Sequence, residues 1–402
     1  MKESPRADNR PPLCVAAFLE KGAGGAEKIF LEYTDALSRT GCMVHTIVGG
    51  ELDADTLAKW QAWVPQREYL TVPFHRRNEY LIPVIFPSLD WRCNDKLAGL
   101  LSGLKPDLIL VNQPGPDDVQ GALRVAAASR PEVPVIAFVH LAAAKALRMK
   151  LRSVKLWWAS HVYKHVSKIV TVSHACKRSL VEDYAVSEDR VSVVPNGVRD
   201  IERMSEEDVL AVRASLGLAR DDVAALWAGR FTIEKGVDVL LRALVNGSEW
   251  NPRVRVFLAG DGPLRRELET EYKHLVDSRT VTFLGWRKDV GRLLQAVDFV
   301  VMPSRFESFG LFLVEAMVAS RACVASNVLG IPEVVADGET GILVPAENPE
   351  ALADGMKRLA SDPALCASMG RAARMRYEKL FTFERCVKLF QDEISNSPPV
   401  TQ

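Results

Sequence analysis

An alternation that runs the length of the chain and restarts once limits its fold more than any other feature. Short apolar runs recur at LCVAAFL (13–19), MVHTIV (43–48), PDLILVN (106–112), PVIAFVH (134–140), KIVTVS (168–173) and VSVVP (191–195). Helix-length stretches separate them. Runs that are apolar at successive positions suit strands covered on both faces. Strands alternating with helices predict a parallel sheet with helices on each side. A polar segment with an Asn-Gly turn signal, NGVRDIERMSEE (196–207), interrupts the pattern. The alternation then resumes at VAALWAG (223–229), VRVFLAG (254–260), VTFLG (281–285), DFVVMP (298–303), ACVAS (322–326) and GILVP (341–345). The fold class is therefore α/β, with two Rossmann-like doubly wound domains joined near residue 198. A chain of 402 residues has room for both. The stretch 349–395 reads as helical. Segment 51–100, with Pro73, Pro83 and Pro87, shows no clean period.

Composition narrows the function classes. Lys plus Arg and Asp plus Glu both total 51, so bulk nucleic-acid binding is not indicated. Seven scattered cysteines, none in a CxxC pair, read as reduced thiols of a cytoplasmic protein. The start, MKESPRADNRPP, has no apolar core of a signal peptide. No apolar run approaches the roughly 18–20 residues of a membrane span. Residues 1–10 and the tail beyond Ser395 are expected to lack order.

In doubly wound sheets, ligands sit beyond the carboxyl ends of the strands. Four strand ends stand out. PSRFESFGLFLVEAMVA (303–319) follows a strand and opens a helix, with Glu307 and Glu315 bracketing an uncharged ESFGLFLVE. Free N–H groups at a helix start suit phosphate, and flanking acids suit hydroxyls. AGRFTIEKG (228–236) places Arg230 and Lys235 in a strand-to-helix loop, where two cations suit a diphosphate. EKGAGGAEKIF (20–30) opens a helix with Gly22, Gly24 and Gly25. Glu27 stands where the dinucleotide fingerprint requires its third glycine, which disfavours an NAD-type dehydrogenase. His140 closes a strand, where ligand-facing and structural roles are both open.

These elements, with VSHACKRSL (172–180), VVPNGV (193–198), LAGDGPLRREL (258–268) and PEVVADGETGILVP (332–345), resemble glycosyltransferase family 4. That family is retaining and has the GT-B fold, two Rossmann-like domains facing a central cleft. The resemblance spans roughly residues 13–385. It implies a nucleoside-diphosphate sugar donor and a glycan or lipid-linked acceptor, in polysaccharide or lipopolysaccharide synthesis. By that resemblance Arg230 and Lys235 hold the diphosphate. The backbone of Phe309, Gly310 and Leu311 holds its oxygens. Glu307 binds hydroxyls of the transferred sugar, and Glu315 those of the ribose. Gly24 and Gly25 bring the first domain's backbone to the donor. His140 contacts the donor sugar. Trp286 or Arg287 approaches the base.

The implied domains are 11–198 for the acceptor and 199–378 for the donor, with a last helix, 379–395, returning to the first domain. Two other readings stay open: a sugar-phosphate synthase or phosphorylase of the same fold, and a sugar-nucleotide-binding protein without turnover. A hydrolase pair is disfavoured, because eight helical residues span about 12 Å against the roughly 5–5.5 Å of retaining hydrolases.

Asp53-Ala-Asp55 spells the D-x-D of metal-dependent transferases, yet helix capping by Asp55 is the expected use. No metal site and no cofactor are expected. Residues 133–181 contain no Asp or Glu, and include RMKLRSVKLWWASHVYKH (148–165). This basic aromatic segment, 145–168, either docks on an anionic membrane at the inner face of the cell membrane or is a domain helix with Trp157, Trp158 and Tyr163 in the core.

Overall fold

The structure, a computed structural model, describes residues 13–72 other than 21 and 23, and residues 91–115, 120–141, 160–246 and 253–395. Both termini expected to lack order lie outside these residues. So do Pro73, Pro83, Pro87, Trp157, Trp158 and most of the basic aromatic segment. The chain divides into two compact units. One takes the residues up to Thr171, Lys177–Val194 and the chain from Val387; the other takes Val172–Cys176 and Pro195–Cys386.

In the first unit, β1 (Cys14–Glu20), β2 (Met43–Gly49), β3 (Tyr69–Val72), β4 (Leu108–Gln113), β5 (Val135–Val139), β6 (Lys168–Thr171) and β7 (Val191–Val193) form one parallel sheet. Its order is β3-β2-β1-β4-β5-β6-β7. Strand direction of growth reverses between β1 and β4, which is the switch point of a doubly wound sheet. The central strands β4 and β5 are buried at every position, β5 with an unbroken apolar run and β4 with an apolar run that ends in Asn112 and Gln113. β3 is the strand that periodicity does not reveal. It is a four-residue edge strand, YLTV, with Leu70 and Thr71 exposed, so it lacks the apolar run of a central strand. Phe390, on the helix Phe383–Ser395, packs against Tyr33 and Phe138 with ring centroids 5.4 and 5.3 Å away.

The second unit repeats the plan. β8 (Val223–Ala228), β9 (Val254–Ala259), β10 (Val281–Gly285), β11 (Phe299–Met302), β12 (Ala322–Ser326) and β13 (Ile342–Val344) pair in the order β10-β9-β8-β11-β12-β13, all parallel. Trp227, Phe231, Leu240, Val256, Phe299 and Val301 belong to its core. Both units are thus Rossmann-like doubly wound domains. The second has its switch point between β8 and β11. No helix among the described residues is long and apolar enough to cross a membrane.

Asp53, not Asp55, caps the helix Ala54–Trp63: its side chain accepts from the Thr56 amide at 2.8 Å. A cap must precede the first helical residue, so the expectation for Asp55 is corrected to Asp53, two residues earlier. Asp55 instead pairs with Lys59 at 2.5 Å, four residues on. Among the described residues, no group of three or more His, Cys, Asp or Glu is placed to hold a metal ion.

Candidate active site

The loops after β8 and β11 leave adjacent strands at the switch point of the second unit. The first loop carries Arg230 and Lys235, the second Glu307. The structure brings two of these together: Lys235 Nζ donates to Glu307 Oε2 at 2.6 Å. Both side chains are only partly exposed, 33% and 15%. Arg230 is exposed and forms no ion pair among the described residues. One cation is therefore matched to an acid and a second is available in the same loop.

Glycines set this spacing. Gly236 has φ +64°, and a Cβ there would lie 1.9 Å from the Pro303 carbonyl oxygen. Only glycine lets the two loops approach so closely. Gly330 supports the Glu307 loop from the far side: its N–H donates to the Glu307 carbonyl at 3.1 Å. A Cβ on Gly330 would lie 1.8 Å from the Ser308 carbonyl oxygen. Neither glycine stands out in the sequence, because each acts through backbone packing between segments far apart in the chain.

The helix Leu311–Val318 starts behind Gly310, which is left-handed at φ 96° and ψ 57°. Its first N–H groups have no intrahelical acceptor. Phe312, Leu313, Val314, Ala316, Met317 and Val318 are buried, whereas Leu311 and Glu315 are partly exposed. Those two positions are four apart and share one face. The strip of helix left open thus joins its start to its single acid. Phe309 turns its ring edge-on to Phe381, centroids 5.7 Å apart, so its side chain is structural. Ser304 and Ser308 have buried hydroxyl oxygens without a hydrogen-bond partner. These orphans flank Glu307 and were invisible in a sequence where serine is common.

Arg305 shows why charge in a loop is an ambiguous signal. It donates to both oxygens of Asp238 at 2.7 Å and to Glu347 at 2.7 Å. The Asp238 hydrogen bonds hold its guanidinium above the usual arginine range. Burial pushes the Asp238 carboxyl up, but the Arg305 pair outweighs it and the net shift is downward. Arg305 braces the loop, while Arg230 is open. At the end of β10, Trp286 is 53% exposed and Arg287 is held by Asp289 at 2.6 Å.

In the first unit, Gly24 precedes the helix Gly25–Arg39. The Gly24 N–H donates to Glu27 Oε2 at 2.9 Å, and Trp60 Nε1 donates to the Gly22 carbonyl at 2.6 Å. Glu27 is therefore a cap, which gives a physical reason for the missing third glycine. Gly25 is exposed. His140 follows β5 and is buried, with Nε2 2.8 Å from Asn112 Oδ1. Burial pushes its imidazole down to about 3, so the ring is neutral. Tyr163 is buried, its hydroxyl donating to Gln113 Oε1 at 3.0 Å.

The sequence pattern described as Glycosyltransferase Family 4 matches residues 23–201, and that described as Glycosyl transferases group 1 matches residues 209–376. The chain belongs to the family 4-like GT-B glycosyltransferases. Two matches in tandem account for this family's double Rossmann plan. Among curated relatives, the chain is 38% identical over 214 residues to D-inositol 3-phosphate glycosyltransferase of Streptomyces avermitilis, covering 50% of this chain and 45% of the relative. It is 32% identical over 214 residues to an uncharacterized glycosyltransferase of Methanocaldococcus jannaschii, covering 51% and 55%. These alignments span about half the length of the curated relatives. A solved structure of like fold is Anabaena HepE in complex with UDP and glucose, with TM-score 0.78 and 21% identity over 95% of this chain and 99% of that one.

Proposed function

We propose that this protein moves a hexose from a nucleoside-diphosphate sugar to an acceptor hydroxyl with retention of configuration. The observation that carries this reading is the Lys235–Glu307 pair at the second unit's switch point, with Arg230 in the same loop free of an ion pair among the described residues. A leaving diphosphate develops negative charge, and two cations with a helix start are suited to meet it. Glu307 then releases Lys235 and binds hydroxyls of the transferred sugar. Glu315, one turn into the helix, takes the ribose hydroxyls. The bond from the anomeric carbon to phosphate breaks as the acceptor oxygen bonds on the same face. The acceptor proton passes to a phosphate oxygen, and nucleoside diphosphate departs. This route needs no dedicated protein base and no metal, since Arg230 and Lys235 supply the countercharge.

We place the protein in the cytoplasm, working on a glycan or lipid-linked acceptor of the cell envelope, with the basic segment 145–168 as its means of reaching an anionic membrane face. A second acceptor class has its own support: the Streptomyces relative is named for action on an inositol phosphate. A phosphorylated polyol is therefore the alternative acceptor. A panel of UDP- and GDP-hexoses, read by thermal shift and by slow acceptor-free hydrolysis, tests the donor. A true donor raises the melting temperature. No shift with any nucleoside diphosphate overturns the reading. Sedimentation with anionic and neutral liposomes then separates membrane from soluble acceptors.

A further inference from the structure

Asn112 and His140 stand at the carboxyl ends of neighbouring strands, β4 and β5. Asn112 is a fully buried amide at 0% exposure, following the apolar Leu108–Val111 of β4 and preceding the buried Gln113. Its Oδ1 lies 2.8 Å from His140 Nε2. An amide oxygen can only accept, so the proton of the neutral imidazole is on Nε2 and Nδ1 is a bare acceptor. Nδ1 has no partner among the described residues. The amide's other end, Nδ2, is buried without a partner. A buried polar group kept at that cost invites a role beyond stability. The ring is also fixed on its face: Phe138 lies 4.3 Å away, centroid to centroid, tilted by 39°. Phe138 in turn packs on Tyr33 and Phe390.

We propose that Asn112 is a positioning residue that holds His140 as the Nε2–H tautomer, so that Nδ1 accepts a hydrogen bond from a hydroxyl of the bound substrate. A phosphate dianion offers only acceptors and cannot bond there, whereas a sugar or polyol hydroxyl can. That the hydroxyl belongs to a sugar rests on the transferase reading; the tautomer does not.

Long-range nitrogen-15 NMR of the full chain, labelled in histidine, reads the tautomer directly, with His140→Gln assigning the resonance. The expected result is a protonated Nε2 and a bare Nδ1 that do not titrate from pH 5 to 8. Asn112→Asp preserves the shape and sets an anion against Nε2. His140 should then gain its second proton within that range, and turnover of nucleotide sugar should fall as pH drops through the same titration. Asn112→Leu removes the acceptor; kcat should fall by on the order of tenfold while KM for the donor changes little. If Asn112→Leu does not fold, the Asp variant and the spectra still decide. A protonated Nδ1 in the wild type, a His140 titration between pH 5 and 8, or a spectrum unmoved by Asn112→Asp overturns the proposal. Absence of any turnover in the wild type counts against the transferase reading alone, because the spectra still report the tautomer.

Discussion

Lys235 Nζ lies 2.6 Å from Glu307 Oε2, tying the loop after β8 to the loop after β11 where the second sheet reverses. Without a ligand, the acid and the base neutralise each other. A diphosphate and a sugar hydroxyl can replace that contact by two separate ones. Under the proposed function, the pair would hold both loops in register until a ligand divides them.

This exchange predicts opposite effects for its two members. Glu307→Gln removes the anion that competes for Lys235, so nucleoside diphosphate should bind at least as tightly as to wild type. Transfer should fall by about 100-fold or more, since sugar contacts made in the transition state are lost. Lys235→Met leaves Glu307 without its cation, and nucleoside diphosphate affinity should drop by about tenfold or more. Calorimetric titration checks both. Equal loss of nucleotide binding in the two variants contradicts the exchange.

Backbone packing predicts which glycines matter. Gly236→Ala meets the Pro303 carbonyl at 1.9 Å with φ +64°, and Gly330→Ala meets the Ser308 carbonyl at 1.8 Å. Each should cost a few kcal/mol, on the order of 2–4, through strain and displaced loops. Gly99→Ala is the contrast. It lies exposed within the helix Trp91–Leu104 with nothing within 4 Å of an added Cβ. It should stabilise by about 0.5–1 kcal/mol. Urea unfolding orders the three.

Acid should destabilise the protein in part through His140. Burial pushes its folded imidazole down to about 3, while an unfolded histidine titrates near about 6.5. As pH falls, the unfolded chain takes the proton first. The stabilisation is complete above about pH 6.5 and is lost progressively toward pH 3, reaching about 2 kcal/mol by pH 5. His140→Gln lacks this titration. The stability gap between wild type and variant should narrow by about 2 kcal/mol from pH 7.5 to pH 5. A gap that stays constant means that the imidazole is not held neutral by burial.

The two aspartates of the D-x-D should differ sharply. Asp53→Ala removes the cap on Thr56 and should cost about 1 kcal/mol. Asp55→Ala loses an exposed pair to Lys59, worth about 0.3–0.5 kcal/mol. Thermal unfolding distinguishes them, and a larger loss at Asp55 reverses the capping assignment.

Much of the fold was legible in the chain because central parallel strands are buried on both faces. PDLILVN and PVIAFVH announce β4 and β5, and the restart after residue 198 announces a second sheet. β3 was not legible, since an edge strand needs no apolar run. In the site, Glu307, Glu315, Arg230 and Lys235 could be chosen from their places beside strand ends and helix starts. Arg305 has the same appearance in sequence as Arg230, yet Asp238 and Glu347 claim it. Asn112 reads as the polar end of a strand, and nothing local ties it to a histidine 28 positions away.

The sequence by itself determined the plan of two parallel, doubly wound sheets and the residue types gathered at the strand ends. These follow from local periodicity and from the short range of strand and helix geometry. Only the tertiary structure decided which charges are spent on one another and which stay open. It paired Lys235 with Glu307, left Arg230 free of an ion pair among the described residues, closed the first glycine turn with Glu27, and joined Asn112 to His140. The reason is physical: hydrogen bonds and ion pairs act over about 3 Å, and only the packed sheets bring residues so distant in the chain within that reach.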